Sequence, residues 1–216
     1  MATYLETVNN VLRRLREPTV SSVNETGYSA MLGVFVNDAK REVEDAAEWN
    51  SLSTTITVTT ANGTYNYTLT GSGTRFRVID ILNDTKDFQL RSAPTTWMNK
   101  QFLLTSYQKS SPVYYNFNGV DSNGDTQVDL FPVPNDVETI RFNLVVPQAP
   151  LSTDTTRIQV PSYLIEMLAY AKAIAERGED GGNLSSEAYA LYKSALANEV
   201  AIERNRYEDE MNWTAP

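Results

Sequence analysis

The run Asp121-Ser122-Asn123-Gly124-Asp125 is spaced like the first half of a calcium-binding loop, so metal chemistry is weighed there first. Carboxylates at the first and fifth positions, with an amide between them, resemble the opening of a calcium loop. A helix–loop–helix calcium site also needs glycine at the sixth position and glutamate at the twelfth, where this sequence has Thr126 and Pro132. No helical pattern flanks the run. A hairpin loop is the simpler reading, with Asn123-Gly124 supplying positive φ angles. Gly71-Ser72-Gly73 lacks the lysine and following helix of a phosphate-binding loop and reads as a turn. Carboxylate pairs able to hydrolyse a glycosidic bond are placed by the fold, and no motif nominates one. Tyr114, Tyr115 and Phe117 could form an aromatic platform for a sugar or a base. In one strand, however, Tyr115 and Phe117 share a side and Tyr114 takes the other, and core plus cross-strand packing explains all three without a ligand.

Two absences narrow the chemistry further. The sequence has no histidine and no cysteine. Without imidazole there is no Ser-His-Asp arrangement, no histidine base near neutral pH and no standard zinc site. Without thiols there are no disulfides, thiolate metal sites or cysteine nucleophiles. The reading is therefore a non-enzyme with no cofactor, whose function lies in its surfaces. The net charge is −9 and uneven: residues 1–50 carry 5 basic and 8 acidic side chains, residues 51–160 carry 8 and 9, and residues 161–216 carry 5 and 10. Both ends are acidic. Such a balance disfavours sequence-specific DNA binding, which needs a basic face, and suits a surface that DNA passes without sticking. No apolar run is long enough to span a membrane. The opening MATYLETVNN lacks a basic stretch followed by an apolar one, so no secretory signal is expected. The Asn-x-Ser/Thr triplets at Asn24, Asn62, Asn66, Asn83, Asn183 and Asn212 then read as products of Asn and Thr richness, not as glycosylation sites.

The elements that must position any surface follow from periodicity. Leu5, Val8, Leu12 and Leu15 form a helical stripe over residues 3–17, opened by a Thr3/Glu6 capping box and closed by Pro18. Arg13, Arg14 and Arg16 fall in its last turn, as a solvated helix end or as a contact to a partner. A second helix starts near Asn24 or Thr26 and runs to about Glu48, with Met31, Leu32, Phe35, Ala39, Val43, Ala46 and Ala47 on one face. From Ser53 the period changes to two. Ile56 and Val58 alternate with threonines, and Tyr65, Tyr67 and Leu69 with polar residues, across Ala61-Asn62-Gly63 as a hairpin turn; further strands are expected near 75–82, 87–91, 102–107, 113–118, 126–131 and 138–146. The stretch 92–101 reads as a loop or a short helical turn. Pro161 then opens a helix over 162–177, Gly178 caps it, and Ser185 caps a last helix over about 186–208 with Leu184 and Tyr189 as a staple across its start.

This pattern predicts an α+β chain: an antiparallel bundle of about four helices, in N- and C-terminal pairs, with an inserted antiparallel β-module. Residues 1–50 and 161–205 form the helical body, 51–160 the β-module and 206–216 a tail. A tryptophan on that polar tail, Trp213, suits either a return to its own core or an anchor in another subunit.

Two stretches resemble a known family. TYLETVNNVLRRLREPTV is similar to the start of tail tubular protein A of short-tailed phages, with its Val-Asn-x-x-Leu and Glu-Pro-x-Val elements. VYYNFNGVDSNGDTQVDLFPVPNDVETIRFNLVVPQAPL followed by IQVPSYLIEMLAYAKAIAERGE resembles the strand–helix core of phage head-to-tail adaptors. The resemblance implies a virion protein at the portal vertex, in a ring commonly of about twelve copies, which extends the DNA channel between portal and tail. The helices would form the ring body, and the β-module would face the next tail component, a nozzle or tube protein. The tail would dock on the portal through Arg206, Tyr207, Met211 and Trp213. Glu199, Glu203 and Glu208 would line the channel, because an acidic wall repels the DNA backbone and lets it slide. The rival readings are a carbohydrate-binding or receptor-recognition module, supported only by the Tyr/Thr-rich strands, and a glycan hydrolase of a tail.

Overall fold

The computed structural model describes residues 2–104, 107–178 and 182–205. The chain divides into two compact units, residues 1–52 with 148–216, and residues 53–147.

The first unit is built on helices α1 (Tyr4–Arg14), α2 (Gly27–Ala46), α4 (Ser162–Arg177) and α5 (Asn183–Arg204). Helix α1 begins because Thr3 and Glu6 satisfy each other's backbone: Thr3 N–H donates to Glu6 Oε2 at 2.8 Å, and Glu6 N–H to Thr3 Oγ1 at 3.2 Å. Its buried stripe is Tyr4, Thr7, Val8, Val11 and Leu12, turned slightly from the expected one, so that Leu5 and Leu15 are only half-buried. Helix α2 opens on a Thr26/Ser29 capping box. It buries Leu32, Gly33, Val36, Ala39, Lys40, Val43 and Glu44, whereas Met31 and Phe35 are half-buried and Ala46 is exposed. Gly33 explains this rotation. A Cβ there would lie 2.4 Å from Tyr4 Oη and 2.7 Å from Val23 Cγ1, so α1 and the 23–26 segment reach α2 only where the side chain is missing.

The polar residues on the same face of α2 hold the chain as it returns from the second unit. Lys40 Nζ donates to Glu44 Oε1 at 3.0 Å and to the Gln148 carbonyl at 2.6 Å, and Gln148 N–H donates to Glu44 Oε1 at 3.2 Å. Asn37 grips Leu151 from both sides, at 2.7 and 3.1 Å. Helix α4 is the centre of the unit, packing on α1, α2 and α5. Gly178, at φ +63, ends it as expected. Helix α5 starts at Asn183 after Gly182 (φ +94), two residues before the expected cap; Ser185 Oγ donates to the Gly182 carbonyl, and Leu184 and Tyr189 are exposed.

The second unit holds strands β1 (Ser53–Thr59), β2 (Asn66–Thr68), β3 (Arg77–Asn83), β4 (Phe88–Gln89), β5 (Arg91–Ser92), β6 (Tyr114–Val120), β7 (Thr126–Phe131) and β8 (Thr139–Val145), with helix α3 (Thr95–Phe102) between β5 and β6. They form two sheets, ordered β1-β8-β3-β4 and β2-β7-β6-β5. Val58, Ile81, Ile140, Phe142 and Leu144 from the first meet Val128 and Leu130 from the second, with Leu69 and Leu90, in one buried cluster. Alternation along β7 turns Phe131 to the opposite face, where Met98, Trp97 and Phe102 of α3 cover it together with Tyr114.

The expected fold, a four-helix antiparallel bundle carrying a small antiparallel module, is not what the chain adopts. The described residues form an α+β arrangement with five helices and two sheets of four strands each. Three local choices produce the difference. The 92–101 stretch becomes helix α3 because its apolar residues, Trp97, Met98 and Phe102, cover a sheet face that would otherwise meet water. The turn at Asn62-Gly63 does not make a hairpin, because β1 pairs with β8 and β2 with β7 in different sheets. Strand β5 pairs parallel to β6, so the second sheet is mixed. The expected strand over 102–107 is absent where the chain is described, since α3 runs through Phe102.

Three outcomes test these packing arguments. Lys40→Met leaves Glu44 as an uncompensated buried charge and is expected to cost about 3–5 kcal/mol in urea denaturation. Gly33→Ala is expected to lower the thermal midpoint, because overpacking of about 1–3 kcal/mol outweighs a helix-propensity gain of about 1 kcal/mol. Glu6, Glu25 and Asp121 are each held below the ordinary carboxylate range by hydrogen bonds from nearby residues: the Thr3 N–H, the Ser21 hydroxyl and N–H, and the Asp125 N–H. Their contribution is therefore present above the unfolded carboxylate range and is lost as pH falls through and below it, from about pH 5 downward. A denaturation series in pH should show that slope, flattened by Glu6→Gln with Glu25→Gln.

Candidate functional site

The carboxylates of the acidic loop in the second unit accept from backbone N–H groups, of the loop itself and of Gly73. Asp121 Oδ1 accepts from the N–H groups of Asn123 at 2.8 Å and Asp125 at 2.9 Å, and Asp125 Oδ1 accepts from Gly73 N–H at 3.1 Å. These contacts shape the β6–β7 hairpin. Among the described residues, no group of three or more Asp, Glu, His or Cys side chains is placed to hold a metal ion. The aromatic run is likewise spent on packing: Tyr115 and Phe117 lie against the inter-sheet core, and Tyr114 meets the Trp97 ring edge-on at 5.1 Å. The buried Asp129 carboxylate is held between Asn66 Nδ2 at 2.7 Å and Asn118 Nδ2 at 2.8 Å, which ties three strands together. Beyond α3 this unit exposes Leu103 and Leu104, next to Phe102, which stacks on Tyr65 at 4.3 Å.

The helical unit offers two larger features. The first is the outer face of α5. Of its 22 residues only Tyr192 and Glu203 are buried. Burial, with Glu42 and Tyr189 nearby, pushes the Tyr192 phenol up to about 12. Leu184, Leu191 and Ile202 stand on the outer face, 56%, 57% and 56% exposed. Their spacings of seven and eleven residues are close to two and three whole turns, so they form one stripe along the helix. The second is a cavity of about 460 Å³ lined by Arg14, Leu15, Arg16, Tyr170, Ile174, Arg177 and Leu184. Arg177 Nη2 donates to Glu17 at 2.6 Å and its Nε to Tyr28 Oη at 2.9 Å; the Glu17 carboxylate and the Tyr28 hydroxyl hold the guanidinium pKa above its usual value. Arg14 lies 3.6 Å from Glu166 and 5.7 Å from the Tyr163 ring centre. Arg16 sits at φ +60 and is exposed.

Of the carboxylates expected along a DNA channel, Glu199 is half-buried on α5. Glu203 is buried and accepts from Asn50 N–H at 2.8 Å, which fastens the end of α5 to the turn at Asn50–Leu52. Glu208 and the four expected portal anchors, Arg206, Tyr207, Met211 and Trp213, lie outside the described residues. Sequence reasoning missed the α5 stripe and the arginine-lined cavity. The stripe was present as the 184–191–202 spacing, hidden because the alanines of α5 suggested a packed helix. The cavity joins residues more than 150 positions apart, and periodicity carries no such information.

No curated protein matches the chain. A family model does, along nearly its whole length: residues 2–216 fit the one described as SU10 adaptor protein. The match agrees with the adaptor resemblance of the 113–179 region and does not single out tail tubular protein A. On a match of this extent, the chain belongs to the SU10 adaptor protein family, a family of phage adaptors.

Proposed function

We propose that the protein closes into a ring between the portal and the tail of a phage and extends the channel through which DNA leaves the capsid. Membership of an adaptor family makes it a virion component that contacts other head and tail proteins. The ring is our reading, and the outer face of α5 carries it. A 22-residue helix with two buried residues and an apolar stripe is a surface awaiting a partner. A patch that meets a different patch on the next copy generates a closed ring when the rotation closes.

In this reading the helical unit is the ring body, and the 53–147 unit is offered to the next tail component, a nozzle or tube protein. Residues 206–216 reach the portal through Arg206, Tyr207 and Trp213, with Met211 between them. The likeness of the first helix to tail tubular protein A belongs to the same reading. Negative charge along the helical ends keeps DNA from adhering, since adhesion needs cations near phosphates. In this reading Glu199, Glu203 and Glu208 line the channel; Glu199 is half-buried on α5, and Glu203, bonded to Asn50 N–H, is buried.

Light scattering of the purified chain, alone and with the portal, tests the ring. A closed oligomer in either sample is expected. Leu191→Glu with Ile202→Glu should yield monomers with an unchanged helical circular dichroism spectrum and thermal midpoint, since both positions are exposed. A parent chain that stays monomeric and indifferent to the portal overturns the reading.

A further inference from the structure

The open edge of a sheet is a row of unpaired N–H and C=O groups, and proteins blunt such edges with short strands, charges, proline or bulges. In the second unit three of the four edge strands are cut short: β2 has three residues, and β4 and β5 have two each. Where β4 stops short of covering β3, the uncovered part of β3 is bulged between Val78 and Asp80 and carries Arg77 and Asp80. Strand β1 has none of these devices. It is seven residues long and pairs in unbroken register with β8 on one side only, and Ser53–Thr59 contains no charge and no proline.

The direction of its backbone groups follows from the ladder. Thr60 N–H donates to the Glu138 carbonyl at 2.8 Å, and bonded residues alternate along an antiparallel pair, so Val58 and Ile56 turn their amides toward β8. On the other side of β8, Asp84 N–H donates to the Thr139 carbonyl at 2.9 Å, which agrees with that phase. Thr55, Thr57 and Thr59 therefore aim their N–H and C=O groups at the open edge, and among the described residues no backbone group bonds them. All three threonines are exposed, whereas Ile56 and Val58 pack against the inter-sheet core. A strand added here would set apolar side chains beside Ile56 and Val58 and small polar ones beside the threonines.

The described strands of this chain are all paired, and residues 206–216 are assigned to the portal in the reading above. Pairing β1 with β1 of a second copy would place a two-fold axis between them, which a head-to-tail ring does not contain. We propose that β1 accepts an extended, uncharged strand of alternating apolar and small polar residues from the next tail component, which joins the β1-β8-β3-β4 sheet as a fifth strand. The proposal rests on the reading of the 53–147 unit as the part offered to that component, and it names the edge and the chemistry of the grip.

Thr57→Pro tests this, because the N–H it removes faces the open edge and takes no bond from β8. The purified variant should keep the parental thermal midpoint and the parental oligomeric state in light scattering. In infected cells whose only source of the protein is this variant, heads should carry it on the portal without the components beyond it. Tailed particles counted by electron microscopy should fall roughly tenfold, as the loss of one or two ladder bonds implies. Hydrogen exchange gives an answer that needs no variant. In the free parental chain the amides of Thr55, Thr57 and Thr59 should exchange fast and those of Ile56 and Val58 slowly; in purified virions the three threonine amides should become protected. Tailed particles at parental numbers, oligomers lost through Thr57→Pro, or a Thr57 amide protected already in the free chain overturns the proposal, and if the variant unfolds the exchange result decides. The two readings fail separately. A ring whose Thr57 amide stays unprotected in virions keeps the ring and removes the added strand, whereas protection in virions with a parental chain that never closes keeps the strand and removes the ring.

Discussion

The helical unit depends on a buried ion pair that is also a clasp. Its chain enters as residues 1–52, leaves for 95 residues, and must be recaptured at residue 148. Lys40 and Glu44, one turn apart on α2, both bond the backbone of Gln148, and Asn37, one turn earlier, bonds the backbone of Leu151. The three residues share a face because they recur at three and four positions. An extended strand lying on a helix has no ladder to satisfy its amides, so side chains must do it. The position of α4, and through it of α5, follows from this recapture, because the chain runs from the clasp into Pro161 and Ser162.

The same constraint governs where the protein can offer surfaces. Helix α4 is surrounded by α1, α2 and α5 and has little left to present. Helix α5 comes last, packs chiefly on α4, and keeps its other faces exposed. Its far end is secured by Glu203 on Asn50 N–H, and a face held in place loses less entropy on association. The second unit follows another logic. Two sheets bury their inner faces on each other, α3 closes part of one outer face, and carboxylates such as Asp129 and Asp121 stabilise turns and strands. In both units these polar groups hold turns, strands and the returning chain in place.

Much of the local structure was legible in the residues. The Thr3/Glu6 capping box, the Gly178 terminus, the helical stripes, the change of period at Ser53 and the strands near 126–131 and 138–146 follow from rules that act within a few residues. Helix faces were legible only to within a fraction of a turn. The rotation of α2 is set by Gly33 and by the polar residues of the clasp, whose value depends on a partner more than 100 residues away. The Asn62-Gly63 turn shows the limit most clearly: Gly63 takes φ +81, as a tight turn needs, yet its N–H bonds Pro134, and the flanking strands go to different sheets.

The sequence alone determined the chemistry that is missing, because a chain without histidine and cysteine lacks those groups in any fold. It also determined the acidic balance and the adaptor resemblance that the family match bears out at family level. Tertiary structure decided the rest: which strands pair, that residues 95–102 form a helix over a sheet, that α5 stands largely uncovered, and that three arginines, from α1, the turn after it and α4, meet around one cavity. The reason is physical. Caps and periods are enforced by neighbours in sequence, whereas exposure and charge clustering depend on which distant surfaces are buried first.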